Sequence, residues 1–241
     1  MTQPGCYTTA RVRRGRVALA ARHAARLARD ARALGLGEPE PAEIGEVLAR
    51  LAREAFGDGD GIVRLEARSD DAGRLRLLGS SRDLGADPAT WSALCSRVTH
   101  PGPDGPPGVK RSDHPAAAAG RDEAQRAQVD EALLFDARGL LVEGARSSPV
   151  VVLADGRAVT PPLGLGGVAG LARAIALDSD AGIQEADLER AALTTAREIV
   201  ALNAVRGARP VVRLDGRAVG DGRPGFAARY LASVVERAWE L

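Results

Sequence analysis

Two periods of hydrophobic and polar residues alternate along this chain and predict its helices and strands. Apolar residues at helical spacing predict two helices in the first part, over residues 20–36 and 41–56. Alternation at every second residue predicts strands, which cover residues 7–13, 16–19, 62–67, 74–79 and 93–98. The first part is therefore predicted to place helices beside an antiparallel sheet.

A segment dominated by Pro and Gly, residues 99–108, follows and predicts a linker or an active-site loop. Beyond it, helices are predicted over residues 115–128, 168–177, 186–193 and 224–239. Strands are predicted over residues 131–136, 140–143, 149–154, 157–160, 198–203 and 210–214. We expect an α+β protein of two domains, residues 1–98 and 110–241, joined by a loop of residues 99–109.

The composition excludes several classes of function. A net charge of +1 and an aromatic content of 3% give no case for binding nucleic acid or an anionic membrane. The apolar runs are too short to span a bilayer, and residues 1–20 lack the apolar core of a signal peptide. Cys6 and Cys95 show no metal-ligand spacing. We expect a cytoplasmic protein that binds a small molecule, without a metal ion and without catalytic cysteines.

A single lysine stands out among the 33 basic residues, all the others being arginine. Arg equals Lys as a surface charge, but it cannot lose its proton in a protein and cannot form an imine. Lys110 is therefore either a leftover surface residue or the amine that an aldehyde cofactor or a base reaction requires.

Four other features accompany Lys110, and each is weak alone. Glu143 ends a predicted strand, although such a Glu usually faces water. The Gly-rich residues 164–170 precede a helix whose free N–H groups and dipole could hold a phosphate, although most such turns are only caps. Arg26 lies on the first helix, where an Arg is usually solvated, and could add a charged fork to that phosphate. Asn203-Ala204 follows another strand.

The order and spacing of these elements resemble a known family. Lys110 is followed by Asp-Glu-Ala-Leu-Leu-Phe-Asp-x-x-Gly-x-x-x-Glu-Gly at residues 130–144, by Thr-Pro-Pro at 160–162, and by Gly-x-x-Arg at 170–173. This pattern is similar to the fold-type IV pyridoxal-phosphate enzymes, which include branched-chain and D-amino-acid aminotransferases and aminodeoxychorismate lyase. The stretch from Gly5 to Val12 and the Leu-Asn-Ala at residues 202–204 most resemble the lyase.

The resemblance implies a role for each element. Lys110 would bind the aldehyde of pyridoxal 5'-phosphate and then act as acid and base, and Glu143 would keep the pyridine nitrogen protonated. The family assembles as homodimers, so a homodimer is expected. The residues expected at the cofactor phosphate are Arg26, the backbone of Leu171 and Ala172, and Asn203 with Ala204.

The chain departs from the family pattern at several positions. Where the family often carries Asn-Tyr after the lysine, this chain has Asp113 and His114. His114 either contacts the cofactor or is a loop histidine, and the sequence leaves both open. Ser148 and Ala172 replace a frequent Asn and Thr, and only four residues precede Gly5, so the first domain is expected to be shortened at its start.

The leading expectation is a lyase that converts 4-amino-4-deoxychorismate to 4-aminobenzoate and pyruvate. In the resembled enzyme a Thr assists the leaving oxygen; Thr8 and Thr9 match it, and strand alternation places only one of them toward the pocket. Arg64 would be either a clamp for a substrate carboxylate or a partner of a nearby acid. The alternatives are a class IV aminotransferase acting on branched-chain or D-amino acids with 2-oxoglutarate, and a truncated homologue without catalysis.

Overall fold

A computed structural model describes residues 5–240. The chain divides into two compact units. The first unit contains the residues up to Asp87, the segment Val109–Asp113 and the residues from Ala238 onward, and the second contains Pro88–Gly108 and His114–Arg237. Lys110 therefore belongs to the first unit and Glu143 to the second. The expected shortening concerns Met1 to Pro4, which lie outside the described residues, and the domain boundary at residues 99–109 stays a prediction.

The first unit is built on an antiparallel sheet with the strand order β2-β1-β3-β4. Its elements are β1 (Gly5–Arg13), β2 (Arg16–Val17), α1 (Ala20–Ala33), α2 (Pro41–Phe56), β3 (Gly61–Ser69) and β4 (Leu75–Arg82). Successive residues of a strand point to opposite faces, so β1 carries one buried row of side chains and one half-buried row. The buried row packs with the apolar faces of both helices.

The core of the first unit joins residues from all of its main elements. Leu27 on α1, Ile44 and Leu48 on α2, and Leu65 on β3 are fully buried in it. Full burial of such a side chain stabilises a fold by about 1.5–3 kcal/mol. This core fixes α1 against the back of β1 and β3.

The second unit is built on a mixed sheet with the order β10-β9-β8-β11-β12-β5-β6-β7, and β13 pairs with β12. The strands β5 (Trp91–Thr99) and β6 (Glu131–Phe135) pair in parallel, as do β5 and β12, and as do β9 and β10. The other strands are β7 (Leu141–Gly144), β8 (Ser148–Val152), β9 (Ala158–Thr160), β10 (Gln184–Glu185), β11 (Glu198–Asn203), β12 (Gly207–Leu214) and β13 (Arg217–Ala218). The helices are α3 (Pro115–Arg126), α4 (Leu171–Leu177), α5 (Arg190–Thr194) and α6 (Phe226–Glu240), with a 3-10 turn at Leu163–Leu165. The last residues of α6, from Ala238 onward, belong to the first unit.

Three predictions about elements are wrong. The strand predicted at residues 93–98 belongs to β5 of the mixed sheet, not to the antiparallel sheet of the first unit. The helix predicted from residue 168 starts at Leu171, because Val168 donates its N–H to a side chain instead of entering a helix. The helix predicted over residues 186–193 is shorter and shifted to Arg190–Thr194.

Both cysteines are free thiols buried in the core. Burial raises the pKa of Cys6 and of Cys95 to about 12, so both stay protonated at neutral pH. Within residues 5–240, no helix combines the length and apolar character needed to cross a membrane.

Candidate functional site

The backbone of Lys110 is held by two elements of the first unit. Its carbonyl oxygen accepts the N–H of Tyr7 on β1 at 3.0 Å. Its own N–H donates to Oδ2 of Asp30 on α1, also at 3.0 Å. The amine Nζ lies 4.7 Å from the centre of the Tyr7 ring. The only lysine of the chain is thus ordered at its backbone, and the residue is half-buried.

One face of the first sheet carries the polar residues near this amine. Tyr7 lies opposite Glu66, and Thr9 lies opposite Arg64, so these four side chains share a face. The Arg64 guanidinium lies 3.6 Å from the centre of the Tyr7 ring and donates to Glu66 at 2.9 Å. The expected pairing of Arg64 with a nearby acid is therefore observed, and it occurs on the face that Lys110 approaches. Whether Arg64 also binds a substrate carboxylate stays a prediction.

Thr8 points to the opposite, buried face. Its hydroxyl accepts a hydrogen bond from Nη2 of Arg26 at 2.7 Å and lies 2.6 Å from Nδ1 of His23. Thr9, not Thr8, therefore lies on the Lys110 side of the sheet.

Arg26 is almost fully buried, unlike a typical helix-surface arginine. Burial lowers the pKa of its guanidinium to about 10, so the group remains charged at neutral pH. Burial, with the nearby Arg26 charge, also lowers the pKa of His23 well below its usual range, so His23 is neutral. The Nε–H of Arg26 has no hydrogen-bond partner among residues 5–240. A buried N–H of this kind suits an anionic ligand atom, but its role at a phosphate stays a prediction.

Glu143 is fixed at the end of β7 in the second unit. Its side chain is only 8% exposed, and Oε2 accepts the N–H of Val168 at 2.9 Å. The Gly-rich turn makes this contact possible. Gly166 has φ +101°, and an added Cβ there would lie 2.5 Å from the carbonyl oxygen of Gly102. The turn predicted to cradle a phosphate therefore also holds the carboxylate of Glu143.

Two histidines, His100 and His114, lie beside Glu143, and only His114 had an expected role. Nε2 of His100 lies 3.8 Å from Oε1 of Glu143. The ring of His114 lies 4.8 Å from that of His100, measured between centres. One nitrogen or oxygen from each of the three residues falls within 4.8 Å of the others.

The hydrogen bonds of the two histidines decide what this cluster can do. Nδ1 of His100 accepts the N–H of Gly102 at 3.0 Å, and Nδ1 of His114 accepts the N–H of Ala117 at 3.2 Å. A nitrogen that accepts carries no proton, so each neutral ring has its proton on Nε2. A protonated nitrogen cannot ligate a metal. The geometry therefore places an imidazole N–H, rather than a metal ligand, in front of Glu143.

His114 also caps the start of α3 through this contact with Ala117. The observation supports a structural role for the side chain. Its expected contact with the cofactor stays a prediction.

The start of α4 offers the expected backbone donors. Gly170 precedes Leu171 without a side-chain cap, and the first N–H groups of a helix have no partner within it. A Cβ at Gly170 would lie 2.7 Å from Oγ of Ser148, so glycine permits this close approach. Leu171 and Ala172 are buried and have apolar side chains, so their only polar groups are those of the backbone.

Asn203 ends β11 and organises the turn that follows it. Its Oδ1 accepts the N–H groups of Val205 at 3.0 Å and Arg206 at 2.7 Å. This side-chain turn fixes the backbone of Ala204. Direct contact of Asn203 or Ala204 with a cofactor stays a prediction.

The residues present fit pyridoxal phosphate. Taken by itself, the first unit has an ordered amine at Lys110 and a buried charged guanidinium at Arg26. Taken by itself, the second unit has a held carboxylate at Glu143 and a helix start at α4 without a side-chain cap. The orphaned Nε–H of Arg26 is the kind of buried donor that a bound anion satisfies.

Sequence reasoning missed Asp30 and His100, which contact Lys110 and Glu143, respectively. Asp30 is a charged residue on a helix and would be expected to face water, yet it is fully buried. His100 is one of only three histidines and lies in a Pro/Gly-rich loop, which was the available signal.

The comparisons with known proteins identify the family and the fold of the chain. The family model for amino-transferase class IV matches residues 5–214. No curated protein sequence matches the chain. Among solved structures, the branched-chain amino acid aminotransferase of Escherichia coli has a TM-score of 0.85 at 21% identity, covering 98% of this chain and 85% of that one.

Two further structures show the same fold. The branched-chain aminotransferase of Thermoproteus uzoniensis, solved with norvaline, has a TM-score of 0.83 at 22% identity, covering 97% of this chain and 84% of that one. A hypothetical aminotransferase from Mycobacterium tuberculosis in its PLP-bound form has a TM-score of 0.80 at 21% identity, covering 98% and 88%. The predicted α+β fold of type IV is thereby confirmed. The chain belongs to the class IV aminotransferase family of pyridoxal-phosphate-dependent enzymes.

Proposed function

We propose that this protein is an aminotransferase that moves an amino group from a branched-chain or D-amino acid to 2-oxoglutarate. The observation that carries the proposal is the ordering of Lys110, the only lysine, by Tyr7 and Asp30. The family match supports amino transfer better than the lyase reaction that the sequence motifs favour.

Bound pyridoxal phosphate supplies an aldehyde for covalent attachment and a ring that acts as an electron sink. The Lys110 amine would provide the attachment point and would then move a proton to and from the substrate α-carbon. Glu143 would hold the proton on the pyridine nitrogen, and the N–H of Val168 fixes the orientation of its carboxylate. Arg26 and the N–H groups of Leu171 and Ala172 would bind the phosphate.

The sheet face beside Lys110 is suited to the substrate carboxylate. Arg64 is 37% exposed at its side chain and remains accessible despite its bond to Glu66. A carboxylate that enters there would compete with Glu66 for the guanidinium. We therefore assign Arg64 to the substrate side rather than to the cofactor.

Aminodeoxychorismate lyase is the second candidate, and one observation favours it. Thr9 lies on the Lys110 face of the sheet, where a hydroxyl could give a proton to a departing enolpyruvyl oxygen. An aminotransferase does not need this donor. The lyase reaction would release pyruvate and 4-aminobenzoate in equal amounts and would need no second oxo acid.

The experiment that decides between them supplies each substrate alone to the cofactor-loaded protein. An aminotransferase releases one equivalent of 2-oxo acid per site from an amino acid and then stops until 2-oxoglutarate is added. A lyase turns over aminodeoxychorismate continuously without an acceptor. Lys110→Arg is the matched control. Release from neither substrate class would identify a homologue without catalysis and would contradict both enzyme proposals.

We further propose a cytoplasmic homodimer. The buried free thiols suit a reducing compartment, and β4 is an exposed strand that pairs with β3. Sedimentation at working concentration should give twice the chain mass of 25.0 kDa, and a single species at the monomer mass would contradict the proposed assembly.

A further inference from the structure

Asp30 is a fully buried carboxylate in the middle of the polar residues of the first unit. It lies on α1, one turn after Arg26, on the side of the helix that faces the sheet. Burying a carboxylate without partners is costly, so each of its oxygens must be accounted for.

Each oxygen of Asp30 has a different partner. Oδ1 accepts from Nε of Arg29 at 3.0 Å and from Nη2 of Arg29 at 2.6 Å. Oδ2 accepts the backbone N–H of Lys110 at 3.0 Å. The charge of Asp30 also stabilises the protonated form of the buried Arg26. The carboxylate thus connects a buried guanidinium to the backbone of the reactive lysine.

The backbone of Lys110 is hydrogen-bonded on two sides, and Asp30 provides one of them. On the other side, the carbonyl oxygen of Lys110 accepts from Tyr7, and the N–H of Ser112 donates to the carbonyl oxygen of Gly5 at 2.8 Å. The segment around Lys110 therefore pairs with β1 in the antiparallel direction. Without Asp30, β1 alone would hold the lysine backbone, and its N–H would lose its acceptor.

We propose that Asp30 is a positioning residue that fixes the backbone of Lys110 so that its amine meets the cofactor aldehyde in one geometry. This inference rests on the proposed function, because it concerns the lysine that binds the cofactor. Arg29 supplies the charge partner of Asp30 and is half exposed. Variants at Asp30 and at Arg29 therefore distinguish the loss of the contact with Lys110 from the loss of the ion pair.

The test compares three variants for the rate at which added pyridoxal phosphate becomes borohydride-fixable on Lys110. Asp30→Leu removes the acceptor at nearly constant size and should slow attachment by about tenfold or more, the effect of one lost hydrogen bond. Asp30→Asn retains an acceptor oxygen for the Lys110 N–H and should stay within about threefold of wild type, as should Arg29→Gln.

A second reaction separates positioning from general loosening. Acetic anhydride acylates the Lys110 amine without requiring a cofactor geometry, so its rate in Asp30→Leu should not fall. The inference would be overturned if the attachment rate fell in all variants in proportion to their melting temperature. It would also be overturned if Asp30→Leu attached the cofactor at the wild-type rate. Failure of the wild-type protein to attach the cofactor would instead overturn the proposed function and the positioning role with it.

If Asp30→Leu does not fold, hydrogen exchange of the Lys110 amide in the wild-type protein tests the inference instead. The N–H of Lys110 should be protected with and without pyridoxal phosphate, because Asp30 accepts it in both states. Rapid exchange of this amide in the folded protein would contradict the proposal.

Discussion

Nε2 of His100 lies 3.8 Å from Oε1 of Glu143, while Nδ1 of the same ring accepts the backbone N–H of Gly102. The backbone bond sets the tautomer, and the tautomer directs an N–H toward the carboxylate. This Nε2–H is buried and has no hydrogen-bond partner among residues 5–240. Glu143 thus has a backbone donor at one oxygen and an imidazole donor facing the other.

The first prediction concerns this tautomer. In nitrogen-15 NMR spectra of the protein, the His100 ring should carry a proton on Nε2 and none on Nδ1, because Nδ1 accepts the N–H of Gly102. The chain has three histidines, so the assignment is tractable. Glu143→Gln should shift the Nε2 resonance of His100 and leave that of His23 unchanged. A proton on Nδ1 would contradict the assigned hydrogen bond.

Glu143→Gln should also lower the turnover number by about 10²-fold or more, because a neutral amide no longer stabilises charge on the pyridine nitrogen. The loss should fall on kcat rather than KM, since Glu143 does not bind the substrate in this account. Steady-state kinetics with Glu189→Gln as an exposed control measures it. Near-wild-type turnover would show that Glu143 does not serve the ring nitrogen.

Thr8 and Thr9 should respond differently to the same substitution. Thr8→Val leaves Nη2 of Arg26 and Nδ1 of His23 without their partner, and should reduce the free energy of unfolding by about 1–3 kcal/mol. Thr9→Val should change it by less than about 0.5 kcal/mol, because Thr9 is half exposed on the other face. Urea unfolding measures both, and equal losses would contradict the assigned faces.

Much of the fold was predictable because the periodicity of side chains is a local property. Strand β11 and helix α2 have the predicted bounds. The partner of β5 was not predictable, because its parallel pairing with β12 joins residues more than a hundred positions apart, such as Trp91 and Val211. The start of α4 was missed because the Val168 N–H serves Glu143, a tertiary contact.

The candidate site was also predictable only in part. The identity of Lys110 as the only lysine was visible in the sequence. The burial of Arg26 and Asp30 depends on how α1 packs on the sheet, and helical spacing alone predicts a solvated surface for such residues. The role of the Gly-rich turn in holding Glu143 also depends on packing.

Glu131 gives the protein a pH-dependent stability. It is fully buried, and burial raises its pKa to about 7 despite hydrogen bonds from Ser147 and Ala132. The folded state therefore favours the protonated acid. Because the folded pKa lies above the unfolded one, stability is lost as the pH rises from about 4.5 to 7, by about 3 kcal/mol.

Glu131→Gln removes this titration and should be more stable than wild type above pH 7, with the difference vanishing near pH 4. Urea unfolding across this range measures the effect, and Glu46→Gln on the exposed side of α2 is the control. A difference between Glu131→Gln and wild type that does not change with pH would contradict the buried acid.

The most direct test of the account is the site of covalent cofactor attachment. Pyridoxal phosphate is added to the purified protein, the product is reduced with borohydride, and the peptides are analysed by mass spectrometry. We expect one label per chain, on the peptide that contains Lys110, and none in Lys110→Arg, which keeps the charge but cannot form an imine. A label confined to the N-terminal amine, or no label, would contradict the central claim that Lys110 binds the cofactor.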